Sequence, residues 1–325
     1  MALIKSISGI RGTIGGKPGE NLTPLDIVKF TAAFATSLDP SKGNKKIVIG
    51  RDGRISGQMV SELCANTLIA CGFDVIDLGL TTTPSVEIAV KEENAAGGII
   101  LTASHNPKEW NALKLLNSEG EFINAEAGEK VLSIAENESF TFVPVDKTGT
   151  YKKDDSYLQK HIDAVVDYDL VDVDAIKKAK FKIVVDPINS SGAIYIPALL
   201  KALGVKDIVL INEEVNGKFE HNPEPLPKNL TGLSNEVVKQ KASLGIAVDP
   251  DVDRLCFVCE DGSMFGEEYT LVAVADYVLT HRKGNTVSNM SSTKSLKEIT
   301  YKHGGEYFPS PVGEVNVVNK MKEVN

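Results

Sequence analysis

The apolar positions of the chain fall into short runs separated by amphipathic stretches. From Lys45 the sequence passes from a β-rich apolar run, Ile47 to Ile49, through a polar loop, Gly50 to Gly57, into a segment with Met59, Val60, Leu63, Leu68 and Ile69 at helix-like positions. Phe73 to Leu78 predicts a second strand, Ser85 to Val90 a short helix after Pro84, and Gly97 to Ala103 a third strand that runs into another polar loop. Strands alternating with helices predict a largely parallel sheet covered on both faces.

Glu136 to Asp155 is largely polar, lacks a sustained period and carries Pro144 and Gly149, which places a boundary near residue 150. A helix-like stretch, Tyr157 to Val166, follows. The pattern then repeats: strand Lys182 to Val185, loop Asp186 to Gly192, helix Ala193 to Leu203, strand Asp207 to Ile211 and, after a Pro-rich loop, strand Gly245 to Val248. After Asp261-Gly262 come helix Tyr269 to Thr280, strand Asn285 to Val287, loop Ser288 to Thr293 and helix Lys294 to His303. The same strand, loop and helix step thus begins near 47, 183 and 286, which suggests three related units over 1–150, 151–260 and 261–325. The expected fold is α/β, with tandem related domains and mixed, largely parallel sheets.

Composition narrows the class. The 325 residues carry 35 Lys and Arg against 44 Asp and Glu, a formal charge of −9, and 42% are hydrophobic. This is a globular composition with material for several cores. The acidic balance argues against a chain that coats nucleic acid, so an anionic ligand must be held locally. Four cysteines are no disulfide framework and point to a reducing compartment. Cys256 and Cys259 form a CxxC, but on a strand an offset of three turns the two thiols to opposite faces, against zinc. No stretch approaches the roughly 20 apolar residues needed to cross a bilayer, and the N-terminus lacks a secretion signal. The expected location is cytoplasmic, with no nucleic-acid or membrane partner.

Two loops carry candidate chemistry. Thr102-Ala103-Ser104-His105-Asn106-Pro107 follows the strand Gly97 to Leu101, and the carboxyl edge of a parallel sheet is where ligands bind. Ser104 beside His105 is a poor nucleophile and base pair if the chain is extended, because adjacent side chains then face opposite ways. Taken alone, this segment is equally well a turn held by Asn106-Pro107. Asp249-Pro250-Asp251-Val252-Asp253-Arg254 follows the strand Gly245 to Val248, and its carboxylates at i, i+2 and i+4 face one way on an extended backbone. Such carboxylates repel unless a cation sits among them, and Mg²⁺, with its hard oxygen ligands, suits them. The segment lacks the glycine and ligand spacing of an EF-hand. Arg254 is open to two roles, an ion-pair partner or a clamp on a transferring phosphoryl group.

Together, TASHNP at 102–107 and DPDVDR at 249–254 resemble the phosphoserine loop and the metal loop of the α-D-phosphohexomutase superfamily, which includes phosphoglucomutase/phosphomannomutase and phosphoglucosamine mutase. Ser8-Gly9-Ile10-Arg11-Gly12, Gly50-Arg51-Asp52-Gly53-Arg54 and Asn111 to Lys114 support the resemblance in order and spacing. It implies that Ser104 carries the phosphoryl group, that Asp249, Asp251 and Asp253 bind Mg²⁺ with a phosphoserine oxygen, and that Arg11 and Arg254 contact phosphate. His105 and Lys114 match positions implicated in proton transfer or polar positioning. The implied reaction shifts phosphate between O1 and O6 of a hexose through a hexose 1,6-bisphosphate, with glucose, mannose or glucosamine phosphate as substrate.

There are departures from the family pattern. Pro250 and Val252 stand where the metal loop is commonly DGDGDR-like, and Asn111-Ala112 stands where Asn-Gly is common. Pro311-Val312-Gly313-Glu314 resembles a third-domain loop in which some members present a His, so Glu314 is given no catalytic role. The sugar-specificity loop does not appear before Asn325, which implies an incomplete third domain, an absent fourth and little full turnover. The alternative is a non-catalytic fragment that binds Mg²⁺ and a phosphosugar. An Asp-nucleophile phosphatase ranks low, because Arg254 and Leu255 replace the expected DxDxT-like continuation.

Overall fold

The structure is a computed structural model and describes residues 3–6, 9–38 and 44–324. The chain opens with an antiparallel pair, β1 (Leu3–Ser6) and β2 (Gly9–Thr13), and helix α1 (Pro24–Ser37). The Asp26 carboxylate accepts the Thr23 N–H at 3.1 Å, placing a negative charge in the first turn of α1. Then follow β3 (Lys46–Arg51), α2 (Gly57–Ala70), β4 (Asp74–Leu80), α3 (Thr83–Glu92), β5 (Gly97–Leu101), β6 (Trp110–Leu116), α4 (Ala125–Glu136) and β7 (Tyr151–Lys153).

These strands form one seven-stranded sheet in the order β1-β2-β6-β5-β3-β4-β7. β5, β3, β4 and β7 run parallel, while β6 and β2 join antiparallel. Both faces are apolar, so the central strands read as continuous hydrophobic runs. Ile47, Ile49, Ile99 and Leu101 pack with Phe34 and Leu68 on one side. Val48, Ile76 and Ile100 pack with Val86, Val90 and Tyr157 on the other. Gly98 lets α3 come close: a Cβ there would stand 2.7 Å from Val90 Cγ2. Residues 151–153 pair with 75–77, so the first sheet continues past the expected boundary at 150.

The second unit comprises α5 (Tyr157–Val166), α6 (Val173–Ala179), β8 (Lys182–Asp186), α7 (Gly192–Ala202), β9 (Asp207–Leu210), α8 (Thr231–Gln240), β10 (Leu244–Val248) and β11 (Leu255–Cys259). Its sheet runs β11-β10-β8-β9, with only the β10 to β11 pairing antiparallel. The third contains α9 (Glu267–His281), β12 (Thr286–Asn289), α10 (Ser295–Lys302), β13 (Tyr307–Ser310) and α11 (Glu314–Val324), with β12 and β13 parallel. The recurring step is β3 to α2, β8 to α7 and β12 to α10. The chain is thus α/β with mixed sheets in tandem. Among the described residues, no helix is long and apolar enough to cross a membrane.

A buried carboxylate closes the end of β8. Asp186 accepts the Ile188 N–H, the Asn212 amide and, at 2.9 Å, His221 Nε2. Burial would lower the His221 pKa, but the hydrogen bond and charge of Asp186 outweigh it and raise it. The stabilisation is therefore fully present below the unfolded pKa of about 6.5 and is lost as pH rises through the raised folded value. Thermal unfolding of wild type should fall between pH 6 and 8 relative to His221→Gln, which keeps a neutral donor. The difference should correspond to roughly 1 kcal/mol, and parallel curves would remove this pair from the account of stability.

Candidate active site

The serine loop leaves the buried strand β5 and turns back into β6. Ser104 has φ +46°, in the left-handed region unusual for a residue with a side chain. The extended chain expected between Ser104 and His105 is therefore absent, and the turn brings Ser104 Oγ within 3.4 Å of His105 Nδ1, a long contact. The stronger partner lies across the unit boundary, where Ser104 Oγ donates to Asp249 Oδ2 at 2.6 Å. Ser104 is 8% exposed, enough to open onto the pocket. Asn111 and Ala112 lie within β6 rather than in a turn.

The acidic loop follows β10 and is likewise not extended. Val252 donates its N–H to the Asp249 carbonyl and has φ +61°, a strained conformation for a β-branched residue. The turn makes the carboxylates converge: ligand atoms of Asp249, Asp251 and Asp253 all lie within 4.8 Å of one another. Asp249 Oδ1 accepts the Asp253 and Arg254 N–H groups at 3.1 Å each, pinning the far side of the turn.

Lys114, carried on β6, reaches this cluster with Nζ 2.8 Å from Asp251 Oδ2 and 3.0 Å from Asp253 Oδ2. Burial opposes its charge, but the two carboxylates prevail and raise its pKa. Asp251 is the counterpart: despite burial, the Lys114 charge holds it below the usual carboxylate range. Asp249, with no such cation, is pushed well above that range by burial and by the other two carboxylates. His105 is lowered by burial and, to a smaller extent, by the Arg254 charge, both of which favour the neutral imidazole.

The donor set suits a hard divalent cation. Asp251 Oδ1 is buried and has no hydrogen-bond partner among the described residues, which leaves one oxygen of the cluster free for a ligand.

A cavity of about 470 Å³ opens on this centre, lined by Arg11, Ser104, His105, Lys114, Asp253 and Glu314, among others. Arg11 Nε is buried without a partner among the described residues. Arg254 stands outside the cavity lining, 3.7 Å from Glu224. Ser8, in the motif around Arg11, lies outside the described residues. Sequence reasoning missed Thr83, whose hydroxyl donates to Asp251 Oδ2 at 2.6 Å, and Glu87, pushed to about 8 by burial and by nearby Glu314. Neither had a local signal, since their partners are far away in sequence.

Fold and site thus define a protein of tandem α/β units whose pocket lies where the units meet. Residues 3–142, 159–262 and 266–325 match, in turn, the alpha/beta/alpha domains I, II and III of phosphoglucomutase/phosphomannomutase. The chain is 35% identical to a phosphoglucomutase/phosphomannomutase of Thermococcus kodakarensis, covering 97% of this chain and 69% of that protein. It is 33% identical to a probable phosphoglucosamine mutase of Pyrococcus abyssi, over 97% and 66%. A solved phosphoglucomutase/phosphomannomutase family protein from Burkholderia thailandensis superposes with a TM-score of 0.85 at 26% identity, over 99% of this chain and 69% of that one. The chain spans about two thirds of the length of these curated relatives. It belongs to the phosphoglucomutase/phosphomannomutase family, whose members are phosphomutases, that is, intramolecular phosphotransferases.

Proposed function

We propose that this chain performs the phosphoryl-transfer chemistry of a phosphohexomutase, interconverting hexose 1-phosphate and 6-phosphate through a phosphoserine at Ser104 and a hexose 1,6-bisphosphate. Glucose, mannose or glucosamine phosphate is the substrate. The observation that carries this reading is the 2.6 Å contact between Ser104 Oγ and Asp249 within a convergent acidic cluster. The three units are assigned to residues 1–150, 151–260 and 261–325, with strand β7 at 151–153 reaching back to the edge of the first sheet, so that serine and carboxylates come from different units.

In this reading Asp249, Asp251 and Asp253 would hold Mg²⁺ together with an oxygen on Ser104. Mg²⁺, when bound, would neutralise charge that builds on the transferring group. The Ser104 Oγ–P bond forms as a sugar O–P bond breaks, and the hydroxyl proton passes to the sugar oxygen released, with His105 Nδ1, 3.4 Å from Oγ, placed to exchange it. Arg11, whose buried Nε has no partner among the described residues, meets the phosphate in the cavity. Arg254 lies near enough to His105 to add to the effect of burial on that imidazole and would contact phosphate from the rim. His105 orients the serine hydroxyl or exchanges its proton. Lys114 offsets the acidic cluster and positions Asp251 and Asp253.

Incubation with Mg²⁺ and glucose 1,6-bisphosphate should add one phosphoryl group to the intact mass of the protein. No uptake by folded protein would sink the proposal. Uptake without conversion of glucose 1-phosphate to glucose 6-phosphate would favour the alternative, a fragment that binds Mg²⁺ and phosphosugar without full catalysis.

A further inference from the structure

We propose that Arg54 is a positioning residue that clamps the serine loop from beneath, and that it contacts no substrate. This rests on the phosphoserine reading above. An arginine so near a phosphoryl site invites the assumption that it binds phosphate, but the geometry points elsewhere. Its side chain is 0% exposed, and all five N–H donors of the guanidinium are already used. Nε donates to Asp52 Oδ2 at 3.0 Å. Nη1 donates to the Pro107 and Trp110 carbonyls at 2.7 and 2.9 Å, and Nη2 to the Ser104 and Asn106 carbonyls at 2.5 and 2.7 Å. One side chain thus satisfies four backbone carbonyls of the loop, and no donor is left for a ligand.

Asp52 closes the network. Its Oδ2 also accepts the Thr102 hydroxyl at 2.7 Å, and Thr102 Oγ1 in turn accepts the Ser104 N–H at 2.9 Å. Ser104 is therefore gripped at its N–H through Thr102 and at its carbonyl by Arg54. Left-handed backbone at a residue with a side chain is strained and persists only where the surroundings over-determine it. The clamp supplies that constraint and turns Oγ toward Asp249.

The same loop reaches the acidic turn. Gly53 N–H donates to Ser190 Oγ at 2.8 Å, and Ser190 Oγ donates to the Pro250 carbonyl at 2.7 Å. The Phe219 ring covers the Arg54 guanidinium at 5.1 Å. Residues 52–54 accordingly fix the serine loop and the acidic turn relative to each other. In transfer chemistry, where positioning does much of the work, loss of about 1 Å of alignment can cost on the order of 10²-fold in rate.

The test uses Arg54→Lys, which keeps charge but loses the fork, together with Thr102→Val and the conservative Thr102→Ser. Two readouts are needed. The first is phosphoryl uptake from glucose 1,6-bisphosphate, resolved into maximal rate and half-saturating concentration. The second is collisional quenching of Trp110, the sole tryptophan, whose carbonyl the clamp holds. Arg54→Lys and Thr102→Val should retain cooperative unfolding, show greater Trp110 quenching and lose on the order of 10²-fold in maximal rate, with half-saturation unchanged. Thr102→Ser should behave as wild type. If Arg54→Lys does not fold, Thr102→Val decides the matter. Raised half-saturation at an intact maximal rate would make Arg54 a substrate ligand and overturn the proposal, as would unchanged quenching or an unchanged maximal rate in a folded variant. Absence of uptake in wild type would instead count against the phosphoserine reading, while Trp110 quenching would still judge the clamp.

Discussion

Ser104→Ala should abolish phosphoryl uptake from glucose 1,6-bisphosphate, leaving the intact mass unchanged where wild type gains one phosphoryl group. The effect should be all or none, because the substitution removes the acceptor oxygen itself rather than a group that assists it. Stability should change little. The hydroxyl donates to Asp249, whose other oxygen keeps the Asp253 and Arg254 N–H groups, so the substitution removes one hydrogen bond, about 1 kcal/mol, and leaves the carboxylate still held. Unfolding midpoints measured beside the mass spectra separate the loss of an acceptor from the loss of a fold. Labelling that persisted in Ser104→Ala would move the phosphoryl carrier to another residue, and peptide mapping would locate it.

The second large effect is expected at Lys114. Its ammonium lies between Asp251 and Asp253, and Asp251 is 1% exposed. Lys114→Met keeps an unbranched apolar stem but strands those carboxylates. Breaking a buried pair by removing one partner typically costs about 3–5 kcal/mol. That loss is expected in urea unfolding with a chelator present. Mg²⁺ should recover much of it, because a cation that binds only the folded state stabilises in proportion to its binding. An equal loss with and without Mg²⁺ would show instead that Lys114 acts mainly through its stem and its contact with the Phe122 ring, 5.6 Å away.

These two residues show how unevenly the site was legible in the sequence. Ser104 and the three aspartates stand in compact motifs, each directly after a hydrophobic strand, and the carboxyl ends of strands are where α/β proteins collect ligands. Lys114 was visible as part of a resemblance, but its position between two carboxylates 137 and 139 residues away was not. The premise of extended loops failed twice, at Ser104 and Val252, because both adopt positive φ although neither is glycine. Local preference disfavours that conformation, and the surrounding hydrogen bonds impose it.

What the amino-acid sequence determined by itself was the alternation of buried strands and amphipathic helices, the recurrence of one strand, loop and helix step, and the residue types of the two loops. Those features depend on local periodicity and on chemistry within a few residues. The antiparallel strands β1, β2 and β6, the meeting of Ser104 with Asp249, the placement of Lys114 among the carboxylates and the burial of Arg54 were decided by tertiary structure alone. Each depends on partners far apart along the chain, whose approach is fixed by sheet order and by the packing of one unit on another, and no local pattern encodes it.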